Sequence, residues 1–264
     1  MSVLRGGGDR VHRGVYILPN LFTTASLFLG FYSVISSARG AFPLAALCIV
    51  FAHITDGLDG RIARWTNTES EFGVQYDSLA DLVAFGVAPG ILAYRWALEP
   101  FGSWGWLAAS LFVACGALRL ARFNVQAASA DKGSFVGLPI PAAADMIAAT
   151  VLLFDFFGGL RADSKHVLIP AMVYGLALLM VSNIRYYSGK DLNLRARAPF
   201  FWLVLAIIIA TLAAAQPQLL LFSVMVAYVG SGPIAWVVRR LRGEAPPAAA
   251  TPSAADAGAR AQRN

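Results

Sequence analysis

Charge is what this sequence has least of. Only 14% of its 264 residues are Asp, Glu, Lys or Arg, 58% are hydrophobic, and the mean hydropathy is +0.62. A soluble domain carries roughly a quarter charged residues, so the deficit excludes an ordinary globular enzyme. Cysteine is nearly absent too. Cys48 and Cys115 stand in apolar segments with no second cysteine or histidine at metal-ligand spacing, and they read as small buried hydrophobes rather than ligands. Met1 to Gly14 is polar and basic, without an apolar core or cleavage site, so no cleaved signal peptide is expected. The strict alternation of a membrane barrel is missing as well.

What the chain does have is a series of long apolar stretches from Leu18 to Val238. A helix of about 20 residues crosses roughly 30 Å of hydrocarbon, and helices satisfy their own backbone groups there. The expected fold is therefore all-α and polytopic, with about eight spans at 17–36, 42–63, 74–97, 103–125, 139–158, 166–184, 198–214 and 218–238. Residues 1–16 form an N-terminal segment and 17–242 the transmembrane domain. The Ala/Pro/Ser-rich tail 243–264 has too few large apolar residues to offset the entropy of ordering and is expected to be disordered.

The cations choose the orientation. Arg5, Arg10, Arg13, Arg61, Arg64, Arg119, Arg122, Lys132, Arg185, Lys190, Arg195, Arg197, Arg239, Arg240 and Arg242 fall on one set of connections, against little more than Arg39, Arg161 and Lys165 on the other. This asymmetry places both termini in the cytoplasm and the protein in the inner (cytoplasmic) membrane. The net charge of +6 and pI near 9.6 then reflect topology and anionic headgroups, and no nucleic-acid partner is expected.

One stretch carries chemistry: Asp56-Gly-Leu-Asp-Gly-Arg-Ile-Ala-Arg64, eight residues, then Gly73-Val-Gln-Tyr-Asp77-Ser-Leu-Ala-Asp81. Asp56 and Asp59 are three apart and Asp77 and Asp81 four apart, so each pair shares a helix face. A short polar connection makes the two helices antiparallel and brings the pairs together. Four converging carboxylates repel one another unless cations bind or some are protonated. Oxygen ligands without Cys or His favour a hard divalent ion, Mg²⁺ or Mn²⁺, which commonly bridges phosphates. Gly57, Gly60 and Gly73 leave room for a bulky phosphate or nucleotide, as does Ala63, and Arg64 can pair with a phosphate oxygen or one of the acids. Glu69 and Glu71 in the connection read as solvated. His53, one turn before Asp56, could face the site, but with no companion ligand it reads rather as a packed or lipid-facing side chain.

In this spacing the chain resembles the CDP-alcohol phosphatidyltransferase family, whose pattern it matches at Asp56, Asp59, Gly60, Ala63, Arg64, Gly73, Asp77 and Asp81. The resemblance implies that Asp56, Asp59 and Asp77 bind metal, and that Asp81 contributes to the metal site and acts as base toward an acceptor hydroxyl. It further implies that Asp56, Gly60, Ala63, Arg64 and Gly73, with Asn20 and Thr23 of the first span, hold the CDP moiety, and that the protein is a homodimer.

The acceptor is decided elsewhere in the chain. Leu18-Pro-Asn-Leu-Phe-Thr23 with Gly30, Arg119-Leu-Ala-Arg-Phe-Asn124, Phe135-Val-Gly-Leu-Pro-Ile-Pro-Ala-Ala-Ala144 and Ser182-Asn-Ile-Arg-Tyr-Tyr-Ser188 resemble segments of the bacterial-type phosphatidylserine synthases. Ser26 and Asp145 depart from that likeness. The resemblance implies CDP-diacylglycerol and L-serine as substrates within membrane lipid. A serine carboxylate needs a cation, so Arg119, Arg122 and Asn124 are candidate acceptor-binding residues. Arginines at a span end also snorkel and set topology. Choline, inositol phosphate or glycerol phosphate stays open as the acceptor. A cation transporter would also place acids within spans, but gives no reason for this glycine-punctuated spacing.

Overall fold

The computed structural model describes residues 17–66, 70–127, 135–158, 166–186 and 214–242, together with Val204, Ile207, Thr211 and Leu212. The first two helices, α1 (Ile17–Ala38) and α2 (Phe42–Thr66), form an antiparallel hairpin. Gly40, at φ +78°, closes it: Gly40 N–H donates to Ser37 O at 3.1 Å and Ala41 N–H to Ser36 O at 2.9 Å. That pattern satisfies carbonyls otherwise orphaned at the helix end. Hydroxyls knit the hairpin along its length, Ser33 Oγ donating to Ala45 O at 2.9 Å and Ser26 Oγ to Ala52 O at 3.2 Å. Small hydrogen-bonding residues of this kind let membrane helices approach closely.

The third rod, α3 (Glu71–Phe101), runs without a break. Ser70 caps its start, its Oγ accepting from Gly73 N–H at 3.0 Å. The rod is α-helical to Asp81 and then widens to π-helix over Leu82–Val87. Pro89 offers no N–H to the ladder, and the preceding bond runs long, from Ala88 N–H to Val83 O. After Ala88–Ala93 a second π turn, Tyr94–Leu98, and a 3₁₀ turn, Glu99–Phe101, complete it. Gly30 of α1 meets this rod so closely that a Cβ would lie 2.6 Å from Ala84 Cα.

Helix α4 (Ser103–Ala127) returns along α3. A two-residue antiparallel ladder, β1 (Phe135–Val136) with β2 (Arg185–Tyr186), then ties the entry of α5 (Ile140–Phe156) to the exit of α6 (Leu168–Val181). Gly137, at φ +87°, makes the corner, its N–H donating to Ile184 O at 2.9 Å. α5 is the central post: from Ile140 to Leu152 every residue except Pro141 is buried. α7 (Pro217–Leu241) packs on α5 and on Tyr186.

The all-α expectation holds, with that one short ladder. Seven of the eight expected spans coincide with α1 to α7, and five helices (α1, α2, α3, α4 and α7) are long and apolar enough to cross a membrane. The remaining segment, 198–214, lies almost wholly outside the described residues, as do 1–16 and the tail 243–264.

Candidate metal and phosphate site

The register of α2 and α3 builds the site. Asp56 lies ten residues before the end of α2, and Asp81 ten residues after the start of α3. In antiparallel helices these positions sit at equal depth, about 15 Å from the connection at 1.5 Å per residue. Asp77, one turn nearer the connection, joins them: one carboxylate oxygen from each of Asp56, Asp77 and Asp81 lies within 4.8 Å of the others. All three are half-buried, and the carboxyls of Asp56 and Asp81 are in hydrogen-bonding contact. Two carboxylates make that contact only with a proton or cation between them. Three hard oxygen donors, partly desolvated and without nitrogen or sulfur, fit a divalent ion of the Mg²⁺ or Mn²⁺ type.

Asp59, Ala63 and Arg64 continue α2, but the expectations for their side chains lie outside the described residues. Gly57 and Gly60 face open space, since a Cβ at either would meet nothing within 4 Å. Gly73 lies under Asn20, whose Oδ1 would be 3.6 Å from a Cβ there. Asn20 is held by its neighbours: Thr24 Oγ1 donates to Asn20 O at 2.6 Å and shares a 2.9 Å hydrogen bond with Tyr76 OH on α3. The fold thus brings Asn20 to the first turns of α3. Thr23 is buried within α1.

The three acceptor candidates separate. Arg119 lies near enough to Asp81 for their charges to interact, and its buried Nε has no hydrogen-bond partner among the described residues. Arg122 is engaged by Asn183, Nη2 donating to Asn183 Oδ1 at 3.0 Å. Asn124 spends its amide on Ser78, beside Asp77, with Nδ2 donating to Ser78 Oγ at 2.9 Å.

The sequence reading missed two neighbours, Tyr228 and Tyr186. Tyr228 of α7 lies close enough to Arg119 for their charges to interact, yet stands in an apolar run with no local signal. Tyr186 packs against Tyr228 with ring centroids 5.8 Å apart and donates from its hydroxyl to Val229 O at 3.2 Å. Burial, and secondarily Tyr228, pushes the Tyr186 phenol up to about 12. His53 is neither simply packed nor simply lipid-facing, because its Nδ1 contacts Asp145 Oδ2 on α5.

Comparison with known proteins identifies the family. The family model for CDP-alcohol phosphatidyltransferase matches residues 16–181. The chain is 41% identical over 223 residues to a CDP-diacylglycerol–serine O-phosphatidyltransferase of Helicobacter pylori, covering 84% of this chain and 92% of that one. It is 35% identical over 246 residues to the enzyme of that name from Mycobacterium tuberculosis, covering 87% and 82%. An archaetidylserine synthase of Methanothermobacter thermautotrophicus is 36% identical over 171 residues, covering 64% and 69%. Aligned through both aspartate pairs and most of the helical core, the chain belongs to the CDP-alcohol phosphatidyltransferase family.

Proposed function

We propose that this protein transfers the phosphatidyl group of CDP-diacylglycerol to the hydroxyl of L-serine, giving phosphatidylserine and CMP. The observation that carries the reading is the meeting of Asp56, Asp77 and Asp81 within 4.8 Å, with Arg119 beside Asp81. The names of the similar proteins support serine over another alcohol.

Asp56, Asp59, Asp77 and Asp81 would hold the divalent ion, Mg²⁺ or Mn²⁺. When bound, the ion neutralises the pyrophosphate and the CMP leaving group. Asn20, Thr23, Gly60, Ala63, Arg64 and Gly73 bind the CDP moiety together with Asp56. The open faces of Gly57 and Gly60 admit it to the backbone of α2. Asp81 takes the serine hydroxyl proton as that oxygen attacks the lipid phosphorus. A serine O–P bond forms, the P–O bond to CMP breaks, and CMP leaves with the electron pair. Arg119 meets the serine carboxylate with its free Nε–H. Arg122 and Asn124 act at one remove, through Asn183 and Ser78.

Residues 17–242 form the transferase domain, in the inner (cytoplasmic) membrane, and it works as a homodimer. The cation asymmetry supports termini and site on the cytoplasmic side, where serine and CMP exchange with water. The test is CMP release by purified protein with CDP-diacylglycerol and Mn²⁺, each alcohol offered in turn. Serine should stimulate release. Stimulation by choline, inositol phosphate or glycerol phosphate but not serine would overturn the acceptor, and retention of configuration at phosphorus would overturn direct attack.

A further inference from the structure

The His53–Asp145 pair lies outside the machinery just described. Asp145 interrupts the apolar run of α5 after Ala142-Ala143-Ala144 and is 4% exposed. A buried carboxylate within an apolar helix is costly unless partnered, and such groups in membrane helices mark function. Asp145 has one partner: Oδ2 accepts from His53 Nδ1, while Oδ1 is buried without a hydrogen bond among the described residues. The imidazole is fixed from a second side by Phe85 of α3, edge-on with centroids 5.9 Å apart.

The placement gives the pair its meaning. His53 stands three residues before Asp56, so the two share a face of α2, and their charges interact. Among the described residues, side-chain hydrogen bonds join α2 to another helix upstream of Asp56 at Ala45, at Ala52 and at His53. The one at His53 is the nearest to Asp56. Past Asp56 the helix offers open faces at Gly57 and Gly60. Its partner α5 is the most enclosed of the described helices, and so a rigid anchor.

We propose that His53 and Asp145 are positioning residues that clasp α2 to α5 and hold Asp56 in register with Asp77 and Asp81, so that the carboxylate cluster is arranged before the divalent ion arrives. A clasp of this kind reduces the reorganisation that metal binding demands. The inference rests on the metal-dependent reading above.

The test is Mn²⁺ binding to the full-length protein in detergent, without CDP-lipid or serine, followed by the electron paramagnetic resonance of free Mn²⁺. His53→Ala and Asp145→Ala should each weaken binding at least threefold. The double variant should weaken it no further than the worse single, because the two act as one unit. Asp145→Asn, which keeps an acceptor for Nδ1, and His53→Asn, which keeps a donor, should stay within twofold of wild type. These two also carry the test if an alanine variant fails to fold. The serine KM should move less than twofold in every folded variant. Unchanged Mn²⁺ affinity in the alanine variants, losses that multiply in the double, or losses in the asparagine variants as large as in the alanines would overturn the clasp. Failure of wild type to bind Mn²⁺ would overturn the metal-dependent reading and the clasp with it; binding by wild type with no response to the substitutions overturns the clasp alone.

Discussion

Asn124 on α4 donates to Ser78 on α3 at 2.9 Å, and Ser78 is the residue after Asp77. In the reading proposed above, the bond makes Asn124 a brace for the carboxylate-bearing turn. A side-chain hydrogen bond contributes about 1 kcal/mol net, and small displacements of a reacting group are expensive in rate. Asn124→Ala is therefore expected to lower kcat about threefold to tenfold with the serine KM unchanged. Steady-state CMP release across serine concentrations checks this, and a KM effect alone would return Asn124 to the acceptor site.

Arg119 should behave in the opposite way. Hydrogen bonds to charged groups are worth about 1.5–3 kcal/mol, which corresponds to about 10- to 100-fold in affinity. Arg119→Ala should raise the serine KM by that factor. Arg119→Lys should recover only part, since an ammonium cannot reproduce the planar fork of donors. Serine titrations at saturating CDP-diacylglycerol measure both.

Asp81 is the base in the mechanism above. Asp81→Asn should lower turnover by about 10² to 10⁴ while CDP-diacylglycerol binding in detergent, read by CMP-displaceable retention, stays largely intact. Turnover at the wild-type rate would remove Asp81 from that role. Chelation with EDTA should silence the wild type, and added Mn²⁺ or Mg²⁺ should restore it.

The contact between Tyr186 and α7 yields a stability prediction. A Cβ on Gly232 would lie 2.4 Å from Tyr186 Cζ, and overpacking of this kind costs about 1–3 kcal/mol. Gly232→Ala should lower the melting temperature of the detergent-solubilised protein. The Tyr186 phenol, pushed from 10 up to about 12, holds its proton more tightly folded than unfolded. Its contribution to stability is whole below pH 10 and is lost as pH rises from 10 through about 12. Tyr186→Phe should remove that part of the alkaline loss in a melting series, at a cost of about 1 kcal/mol for the missing bond to Val229 O.

How far these features are legible in the sequence depends on the range of the interaction. Asp56 and Asp77 with Asp81 sit on two consecutive helices joined by a short connection, so helical spacing and antiparallel geometry were enough to bring them together. Apolar length alone foretold α1 to α7. Asn20 above Gly73 and Tyr228 beside Arg119 were not legible from spacing, because those contacts join helices far apart in the chain. The partner of His53 is hidden for the same reason: Asp145 lies 92 residues away, after a run of alanines. Local pattern names a face of a helix, and only tertiary packing names what the face meets.

The equal depth of Asp56 and Asp81 makes α2 and α3 work like the two scales of a vernier. One residue inserted between Ser70 and Asp77 would slide Asp77 and Asp81 by about 1.5 Å and turn them by about 100°, carrying both off the reading shared with Asp56. The same length change outside the two helices would leave the scales aligned. Spacing inside the rods is thus a setting of position and phase together, and it fixes how far below the surface a lipid phosphate and a water-borne alcohol can meet.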